Sequence, residues 1–307
     1  MQLPLETVPN FSEGRDRATI DALAEALGEH AELLDVHADV DHHRSVFTLV
    51  GTEQELAESL LAGIACAKER IDLRRHEGAH PRIGAADVVP LVPLRPEDMP
   101  RAQSAAKTIA GRIADELELP VFLYGALRGG VGPAHFRRGG PEELQRRMAS
   151  GEVRPDFGPE RLDPGAGGVL VGARGPLIAF NVNLRSADVE VARAVAKTVR
   201  EADDGFTGVR ALGLDLPAAG LVQVSMNVED WEAAALHEIV AHIVEEAERR
   251  GAEVAGSELV GLMPAGAAAA AAGSALHIDG FDESHVLELR LLGREFGRGE
   301  EGLTKPG

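Results

Sequence analysis

The chain contains little cysteine, few aromatic residues and no long apolar run. Cys66 is the only cysteine in 307 residues, so no disulfide can form within the chain and a cysteine-based metal site is excluded. A membrane-spanning helix needs roughly 18 or more apolar residues in a row, and the longest apolar run, the alanines at 267–272, is far shorter. The N-terminus lacks a basic stretch followed by an apolar one, which argues against a signal peptide. We therefore expect a cytoplasmic location and no contact with a membrane.

Basic residues are also scarce: the chain has 50 acidic and 31 basic residues and a formal net charge of −19. This balance argues against nucleic acid as a partner, because the phosphate backbone calls for a basic surface. Small anionic substrates would be repelled overall and would need local arginines, which occur at Arg74–Arg75, Arg82 and Arg137–Arg138. The motifs of serine hydrolases, phosphate-binding loops and dinucleotide-binding folds are absent.

Hydrophobic periodicity predicts the same order of elements, β-α-β-β-α-β, in each half of the chain. In the first half the elements are a strand at 2–9, a helix at 14–28 capped by Ser12, strands at 32–38 and 45–51, a helix opened by the capping box of Thr52 and Glu55, and a strand at 87–94. In the second half they are a strand at 177–184, a helix at 187–201, strands at 208–214 and 221–228, a helix capped by Asp230, and a strand at 254–262.

Two units of this order predict an α+β fold of two tandem ferredoxin-like modules. Their antiparallel or mixed sheets would face a shared cleft, with the helices outside. We assign residues 1–174 to the first module, including an extra helix at 97–118, an extra strand at 120–124 and a glycine-rich stretch at 125–168 with a short helix at 141–149. Residues 175–297 form the second module, and residues 298–307 are expected to be a disordered tail.

Two strands of the second half carry polar side chains on one face only. Alternation along a strand places its odd and even residues on opposite faces, and the apolar rows must meet the helices. The polar rows contain Asn181, Asn183, Gln223, Ser225 and Asn227. A solvated sheet face would explain them, but we favour a ligand cleft between the modules, because domain interfaces are common binding sites.

Histidine is concentrated in two clusters of the first half. The first runs from Asp35 to Arg44 at a strand end, where His37, Asp39 and Asp41 share one face. It could be a metal site, a polar turn without function, or a substrate-binding strand end. The second cluster contains His76 and His80, and Pro81 favours an extended backbone at His80. A histidine on a rigid loop suits proton transfer near neutral pH.

Several ordered stretches resemble the formiminotransferase domain of glutamate formimidoyltransferase, the folate enzyme of histidine degradation. They are Val8 to Gly14, Asp35 to Ser45, His76 to Ala85, Pro120 to Gly125, Pro155 to Pro159, Gly172 to Arg174, Ile178 to Leu184, Gln223 to Asn227 and Gly256 to Leu262. The resemblance implies tandem ferredoxin-like modules, a catalytic acid–base role for His80, and folate contacts from the loop 158–167. The binding residues it suggests in that loop are Gly158, Pro159, Pro164, Gly165 and Gly167.

The resemblance also implies a reaction. Nitrogen N5 of tetrahydrofolate, the co-substrate, would attack the amidine carbon of N-formimino-L-glutamate, and His80 would move the proton from N5 to the departing glutamate nitrogen. Acid–base help of this kind is worth roughly 10² to 10⁴ in rate. Arg44 and Arg82 are our candidates to bind carboxylates. Asn10, His37, Asp39 and the polar rows are the other candidate binding residues, and no metal is expected.

Two alternatives stay open from the sequence. One is a folate-binding relative without transferase activity. The other is a metal-dependent hydrolase of an amidine or imine, with His37, Asp39, His76 and His80 as ligands. The animal enzyme continues into a cyclodeaminase domain for which this chain is too short, so we expect the next step to need a separate protein. A homodimer is compatible with the sequence, which contains no residue that proves it.

Overall fold

The computed structural model of the protein describes residues 3–278, 280–287 and 289. The first part of the chain builds a seven-stranded sheet. Its strands are β1 (Leu5–Thr7), β2 (Asn10–Phe11), β3 (Glu32–Asp39), β4 (Arg44–Gly51), β5 (Ala86–Pro93), β6 (Val121–Gly125) and β7 (Val169–Ala173). Strands β1 and β2 both lie between β4 and β5, and β3 pairs with the outer side of β4. Strand β7 runs parallel to β5 and β6 and lies between them.

Five helices accompany this sheet within the described residues. They are α1 (Arg17–Leu27), α2 (Glu53–Arg70), α3 (Met99–Leu117), α4 (Pro133–Arg137) and α5 (Gly140–Ala149). Helices α1 to α3 bury their apolar sides on one face of the sheet, against residues such as Phe47 and Leu91. Helices α4 and α5 cover part of the opposite face, where Phe136 packs on Phe122. The rest of that opposite face is left for the second sheet.

The second part of the chain repeats the order of elements. Its elements are β8 (Ile178–Arg185), α6 (Val189–Val199), β9 (Val209–Leu216), β10 (Leu221–Val228), α7 (Leu236–Glu248), β11 (Glu253–Val260) and α8 (Ala265–Leu276). The four strands form an antiparallel sheet in the order β11-β8-β10-β9. The predicted α+β class with two sheets is therefore confirmed, and so is the β-α-β-β-α-β order of the second part.

Several local predictions were wrong for identifiable reasons. Within the strand predicted at 2–9, Leu5–Thr7 form β1 and the strand ends before Val8 and Pro9, because proline has no N–H for the ladder; β2 follows at Asn10–Phe11. The capping box of Thr52 is confirmed, but helix α1 is capped by Asp16. The Ser12 hydroxyl instead donates to the carbonyl oxygen of Gly84 at 2.7 Å. A long-range hydrogen bond can thus take a polar side chain away from the helix cap that its position in the sequence predicts.

A further cap was wrong, and strand β7 of the first sheet and helices α4 and α8 were not predicted. Asp230 caps a turn by accepting from the N–H of Ala233, and helix α7 begins only after Ala235. Strand β7 is buried on both faces and lacks the alternation that identifies a half-exposed strand. Helix α8 is almost wholly alanine, which favours a helix but gives no polar–apolar period. The predicted tail at 298–307 lies outside the described residues, and among the described ones no helix could cross a membrane.

Candidate active site

A cleft of about 2460 Å³ lies between the open faces of the two sheets. The first sheet lines it with side chains that include Asn10, Val46 and Val88, and the second sheet contributes Asn181 and Ser225 among others. Helix α4 closes part of one end. The cleft is large enough for two small-molecule substrates, since ordinary ligand pockets measure roughly 300–1,000 Å³.

The polar rows of the second sheet lie side by side, as the alternation predicted. In the register of β8 and β10, Asn183 lies opposite Gln223 and Asn181 lies opposite Ser225. The intervening residues, such as Val182 and Val224, are buried against helices α6 and α7. The second sheet therefore presents hydrogen-bonding groups toward the cleft and keeps its apolar groups on the helix side.

His80 lies in the wall of this cleft, on the loop that precedes β5. Its Nδ1 atom is buried and has no hydrogen-bond partner within the described part of the chain. Burial, together with the nearby charges of Arg44 and Arg137, holds the pKa of His80 well below its usual value, although Asp87 acts in the opposite direction. The imidazole is therefore neutral at neutral pH and can accept a proton, as a general base must.

A buried carboxylate beside His80 binds two arginines. The Asp87 side chain is fully buried, and its Oδ2 atom accepts from Arg44 at 2.8 Å and from Arg137. Its Oδ1 atom accepts from the N–H of Ile83 at 2.8 Å. Burial opposes ionisation, but the two guanidinium groups hold the pKa of Asp87 far below its usual value. The group is therefore an ionised carboxylate with two cations and keeps one excess positive charge next to the cleft.

Arg44 is fixed on its other side as well. Its Nε atom donates to Oδ1 of Asn10 at 3.0 Å. Burial lowers the pKa of Arg44 to about 10, which leaves it charged at neutral pH. Arg44, Arg137 and Asn10 all line the cleft, so the excess positive charge faces any ligand that enters.

Polar contacts from the β3–β4 region join the two sheets at one rim of the cleft. Nε2 of His42 lies 2.9 Å from Oε1 of Gln223, whose amide nitrogen donates to Asn183 at 2.9 Å. Farther along β3, Nε2 of His37 lies 3.3 Å from Oε1 of Glu258. His42 and Gln223 are both almost fully buried. The modules are thus linked by side chains as well as by the chain itself.

The pair of His37 and Glu258 is electrostatically coupled. The close carboxylate of Glu258 raises the pKa of His37 despite partial burial. The pKa of Glu258 is lowered chiefly by His37, and Asn181 adds to this by donating to Oε2 at 3.1 Å. Protonated His37 and ionised Glu258 therefore stabilise each other between the two sheets.

The cleft wall also contains a second group of ionisable side chains. Arg174 and Tyr124 line the cleft together with Glu6 and Glu229. Burial lowers the pKa of Arg174 and raises that of Glu6. Arg174 therefore lies among acidic neighbours, whereas beside His80 two arginines share one carboxylate.

The structure brings together most of the candidate residues predicted from the sequence. Those that line the cleft are His80, Asn10, His37, Asp39, Arg44, Asn181, Ser225 and Asn227. Asn183 and Gln223 are not part of the lining and belong to the hydrogen-bonded link to His42. Arg82 is not part of the lining, and its guanidinium bonds to backbone carbonyls and to His76.

The loop 158–167 lies away from the cleft lining. A side chain at Gly158 would meet the carbonyl oxygen of Leu119, and one at Gly167 would meet that of Ile83. Both glycines have positive φ angles, 83° and 71°, so they serve tight turns packed on the first module. The predicted residues of this loop, Gly158, Pro159, Pro164, Gly165 and Gly167, are absent from the cleft wall. Their contact with folate stays a prediction.

Sequence reasoning did not identify Asp87, Arg137 or Glu258. Asp87 interrupts the start of an otherwise apolar strand, and an acid in such a place is a usable signal, since buried acids are rarely unpaired. Arg137 was noted only as part of an arginine-rich stretch. Its path to the cleft depends on the position of the short helix α4, which no local pattern reveals.

The metal alternative required His37, Asp39, His76 and His80 to converge. His76 instead stacks on His43, with 3.9 Å between ring centroids, and bonds to Arg82. Within residues 3–278, 280–287 and 289, no group of three or more histidine, cysteine, aspartate or glutamate side chains is arranged to hold a metal ion.

Comparison with known proteins places these features in a family. Residues 4–174 match the formiminotransferase domain, N-terminal subdomain, and residues 179–282 match the formiminotransferase domain. A glutamate formimidoyltransferase of Streptococcus pyogenes is 39% identical over 295 residues, which cover 94% of this chain and 99% of that protein. A protein of the same description from Thermoplasma acidophilum is 36% identical over 94% of this chain and 97% of its own.

A longer relative shares the same region. The formimidoyltransferase-cyclodeaminase of rat is 39% identical over 272 residues, which cover 85% of this chain and 50% of that protein. The similarity therefore extends over both sheets and the cleft between them. The chain belongs to the formiminotransferase family.

Proposed function

We propose that the chain is a glutamate formimidoyltransferase, which transfers the formimino group from N-formimino-L-glutamate to tetrahydrofolate. The observation that carries this proposal is the position of the His80 imidazole in the wall of the cleft, beside the buried Asp87 and its two arginine partners. Family membership and the descriptions of its near-full-length relatives support the same activity. The chain is thus assigned to the transferases of one-carbon groups, with tetrahydrofolate as co-substrate.

The reaction needs one proton to move between two nitrogens. N5 of tetrahydrofolate forms a bond to the amidine carbon, and His80 accepts the N5 proton as the tetrahedral adduct forms. The bond from that carbon to the glutamate nitrogen then breaks, and His80 returns the proton to this nitrogen. The products are 5-formiminotetrahydrofolate and glutamate, and His80 ends neutral as it began. The larger part of the rate gain comes from holding both substrates in one cleft.

The charges beside His80 suit an anionic donor. Arg44 and Arg137 share only one carboxylate, Asp87, so a glutamate carboxylate can complete the charge balance. Arginine favours carboxylates through paired N–H donors. We assign this role to Arg44, as the sequence suggested, and add Arg137. Asn10, His37 and Asp39 border the same end of the cleft and serve as further contacts.

The polar rows of the second sheet are suited to binding the folate. Asn181, Ser225 and Asn227 offer donors and acceptors along one line, which matches a long ligand with alternating polar groups. Gln223 and Asn183, next to these residues in the sheet, are bonded to each other and through Gln223 to His42. We retain the loop 158–167 as a proposed further folate contact, on the family resemblance alone.

The architecture we propose is a pair of ferredoxin-like modules. The strand order β11-β8-β10-β9 of the second sheet supports it, as does the β3-β4-β1/β2-β5 core of the first. We place the boundary between residues 174 and 175 and the end of the second module at 297. We also retain the proposals of a homodimer and of a separate cyclodeaminase partner.

An assay with both substrates tests the proposal. Purified protein is incubated with N-formimino-L-glutamate and tetrahydrofolate, and glutamate and 5-formiminotetrahydrofolate are quantified. We expect equal amounts of the two products and none when the folate is omitted. Breakdown of the donor without folate would favour the hydrolase, and folate binding without turnover would favour a non-catalytic relative. Stoichiometric metal that is required for turnover would also contradict the proposal.

A further inference from the structure

The loop that carries His80 rests on the turn between β3 and β4. The N–H of Ala79 donates to the carbonyl oxygen of Asp41 at 3.1 Å. Nδ1 of His43 lies 2.8 Å from the carbonyl oxygen of Glu77. These two contacts join segments that are more than thirty residues apart in sequence, and they fix where the His80 loop lies relative to the cleft.

Glycine is required at the centre of this contact. A Cβ atom at Gly78 would lie 2.5 Å from the carbonyl oxygen of His42 and 2.6 Å from a terminal nitrogen of Arg82. Real Cβ atoms essentially never come within 3.0 Å of such neighbours. The backbones of the His80 loop and of the β3–β4 turn are therefore in direct contact at Gly78. The Arg82 guanidinium lies between them and bonds to both.

Every N–H donor of Arg82 is used within the protein. Nε donates to the carbonyl oxygen of His80 at 3.0 Å, and one terminal nitrogen donates to the same oxygen at 2.6 Å and to that of His42 at 2.8 Å. The other terminal nitrogen donates to the carbonyl oxygen of His43 at 2.9 Å and to Nε2 of His76 at 2.9 Å. A guanidinium has five N–H groups, so none is left for a substrate.

We propose that Arg82 is a positioning residue for the transfer reaction: it fixes the His80 loop to the β3–β4 turn and does not bind substrate carboxylates. This role replaces the carboxylate-binding role suggested by the sequence, and it rests on the proposed function of His80. The guanidinium joins the backbone of His80 to the turn that also supplies Arg44. Arg82 thereby holds the base and the cationic side of the cleft in one fixed geometry.

Steady-state kinetics separate positioning from substrate binding. Arg82→Lys keeps the positive charge. A lysine ammonium, however, cannot bond at the same time to the carbonyl oxygens of the His80 loop and of the β3–β4 turn, as the planar guanidinium does. We expect kcat to fall about 100-fold, since a displacement of about 1 Å of catalytic geometry costs that much, with KM for both substrates within about threefold of the parent. A KM increase of about tenfold or more with kcat retained would show that Arg82 binds substrate and overturn the proposal, and so would parental kinetics.

Two further variants keep the test independent of a folding defect. Arg70→Ala removes an exposed arginine at the end of helix α2 that does not line the cleft, and it should leave both constants unchanged. Gly78→Ala keeps Arg82 but forces the loop and the turn apart, and it should lower kcat in the same way, with KM retained. Thermal melts show that the variants are folded at the assay temperature. Parental kcat in folded Gly78→Ala would contradict the role of this contact.

A spectroscopic measurement tests the contact without any activity. Nε2 of His76 lies 2.9 Å from a terminal nitrogen of Arg82 and 3.2 Å from the carbonyl oxygen of His43. A guanidinium only donates, so the contact with Arg82 requires the His76 proton on Nδ1, whereas a hydrogen bond to His43 requires it on Nε2. Side-chain nitrogen chemical shifts of labelled protein at pH 7 should show a single Nδ1–H tautomer in the parent and a mixture in Arg82→Lys. A mixture in the parent would refute the role of Arg82. If the parent shows no transferase activity while the tautomers behave as expected, the proposed function fails and the structural role of Arg82 stands.

Discussion

Replacing Asp87 with asparagine is expected to destabilise the protein strongly, although the two side chains are nearly the same size. The carboxylate is fully buried, and it is the shared partner of Arg44 and Arg137. In Asp87→Asn the two guanidinium groups keep their charges, lose their common counter-ion and repel each other in a poorly solvated place. Removing one partner of a buried ion pair costs about 3–5 kcal/mol.

A thermal or urea melt measures this cost. Taking about 3 kcal/mol, the lower end, we expect Tm to fall by roughly 6–12 °C, because 1 kcal/mol shifts a domain of 150–250 residues by about 2–4 °C. Asp21→Asn is the matched control, since Asp21 pairs with Arg17 in an exposed site and surface pairs contribute at most about 1 kcal/mol.

The pH dependence and a second substitution refine this test. The folded-state pKa of Asp87 is lowered, so the stabilisation is fully present above the unfolded pKa near 3.9 and is lost as the pH falls toward the lowered value. The difference in the free energy of unfolding between the parent and Asp87→Asn should therefore become smaller only in strong acid. Adding Arg137→Met to Asp87→Asn should recover part of the loss by removing one uncompensated charge. An Asp87→Asn variant that melts within about 2 °C of the parent at pH 7 would refute the charge-balance argument.

Three further outcomes follow from the site. Because the pKa of His80 is lowered, kcat/KM should stay level from pH 8 down through 6.5 and decline only in more acidic buffer; a decline centred at or above 6.5 would contradict this. Gln223→Leu should cost about 1–3 kcal/mol by unpairing buried groups, while exposed Gln54→Leu should cost about 0.5 kcal/mol or less in the same urea melts. A double-mutant cycle of His37→Ala and Glu258→Ala should give a coupling free energy of unfolding of about 0.5–1 kcal/mol at pH 6. The coupling should be much smaller at pH 9, because His37 loses its proton as the pH rises through its raised pKa. Equal coupling at both pH values would be inconsistent with an ion pair.

The sequence was most informative where its pattern is periodic. Alternation in β8 and β10 was enough to place Asn181, Asn183, Gln223 and Ser225 on one face, and the register confirms that they lie side by side. The capping box at Thr52 was equally reliable, because both of its hydrogen bonds are local. Strand β7 and helix α8 were missed, since one is uniformly buried and the other is almost uniformly alanine.

Side-chain direction could not be obtained in the same way. Arg44 and Arg82 both follow a histidine cluster closely and looked equivalent as carboxylate ligands. The fold turns Arg44 into the cleft and Arg82 onto the β3–β4 turn. The difference arises from contacts such as that between Arg82 and His42, which are 40 residues apart in the chain. Such contacts between distant residues cannot be predicted from the spacing of residues along the sequence.

The most direct test of the central claim compares the parent with His80→Ala under saturating N-formimino-L-glutamate and tetrahydrofolate. The exposed His30, which does not line the cleft, supplies the matched control His30→Ala. We expect the parent and His30→Ala to form 5-formiminotetrahydrofolate at equal rates, and His80→Ala to be slower by at least about 100-fold, the lower end for acid–base catalysis, with an unchanged thermal melt. Equal rates in the parent and His80→Ala would remove His80 from the reaction and contradict the account.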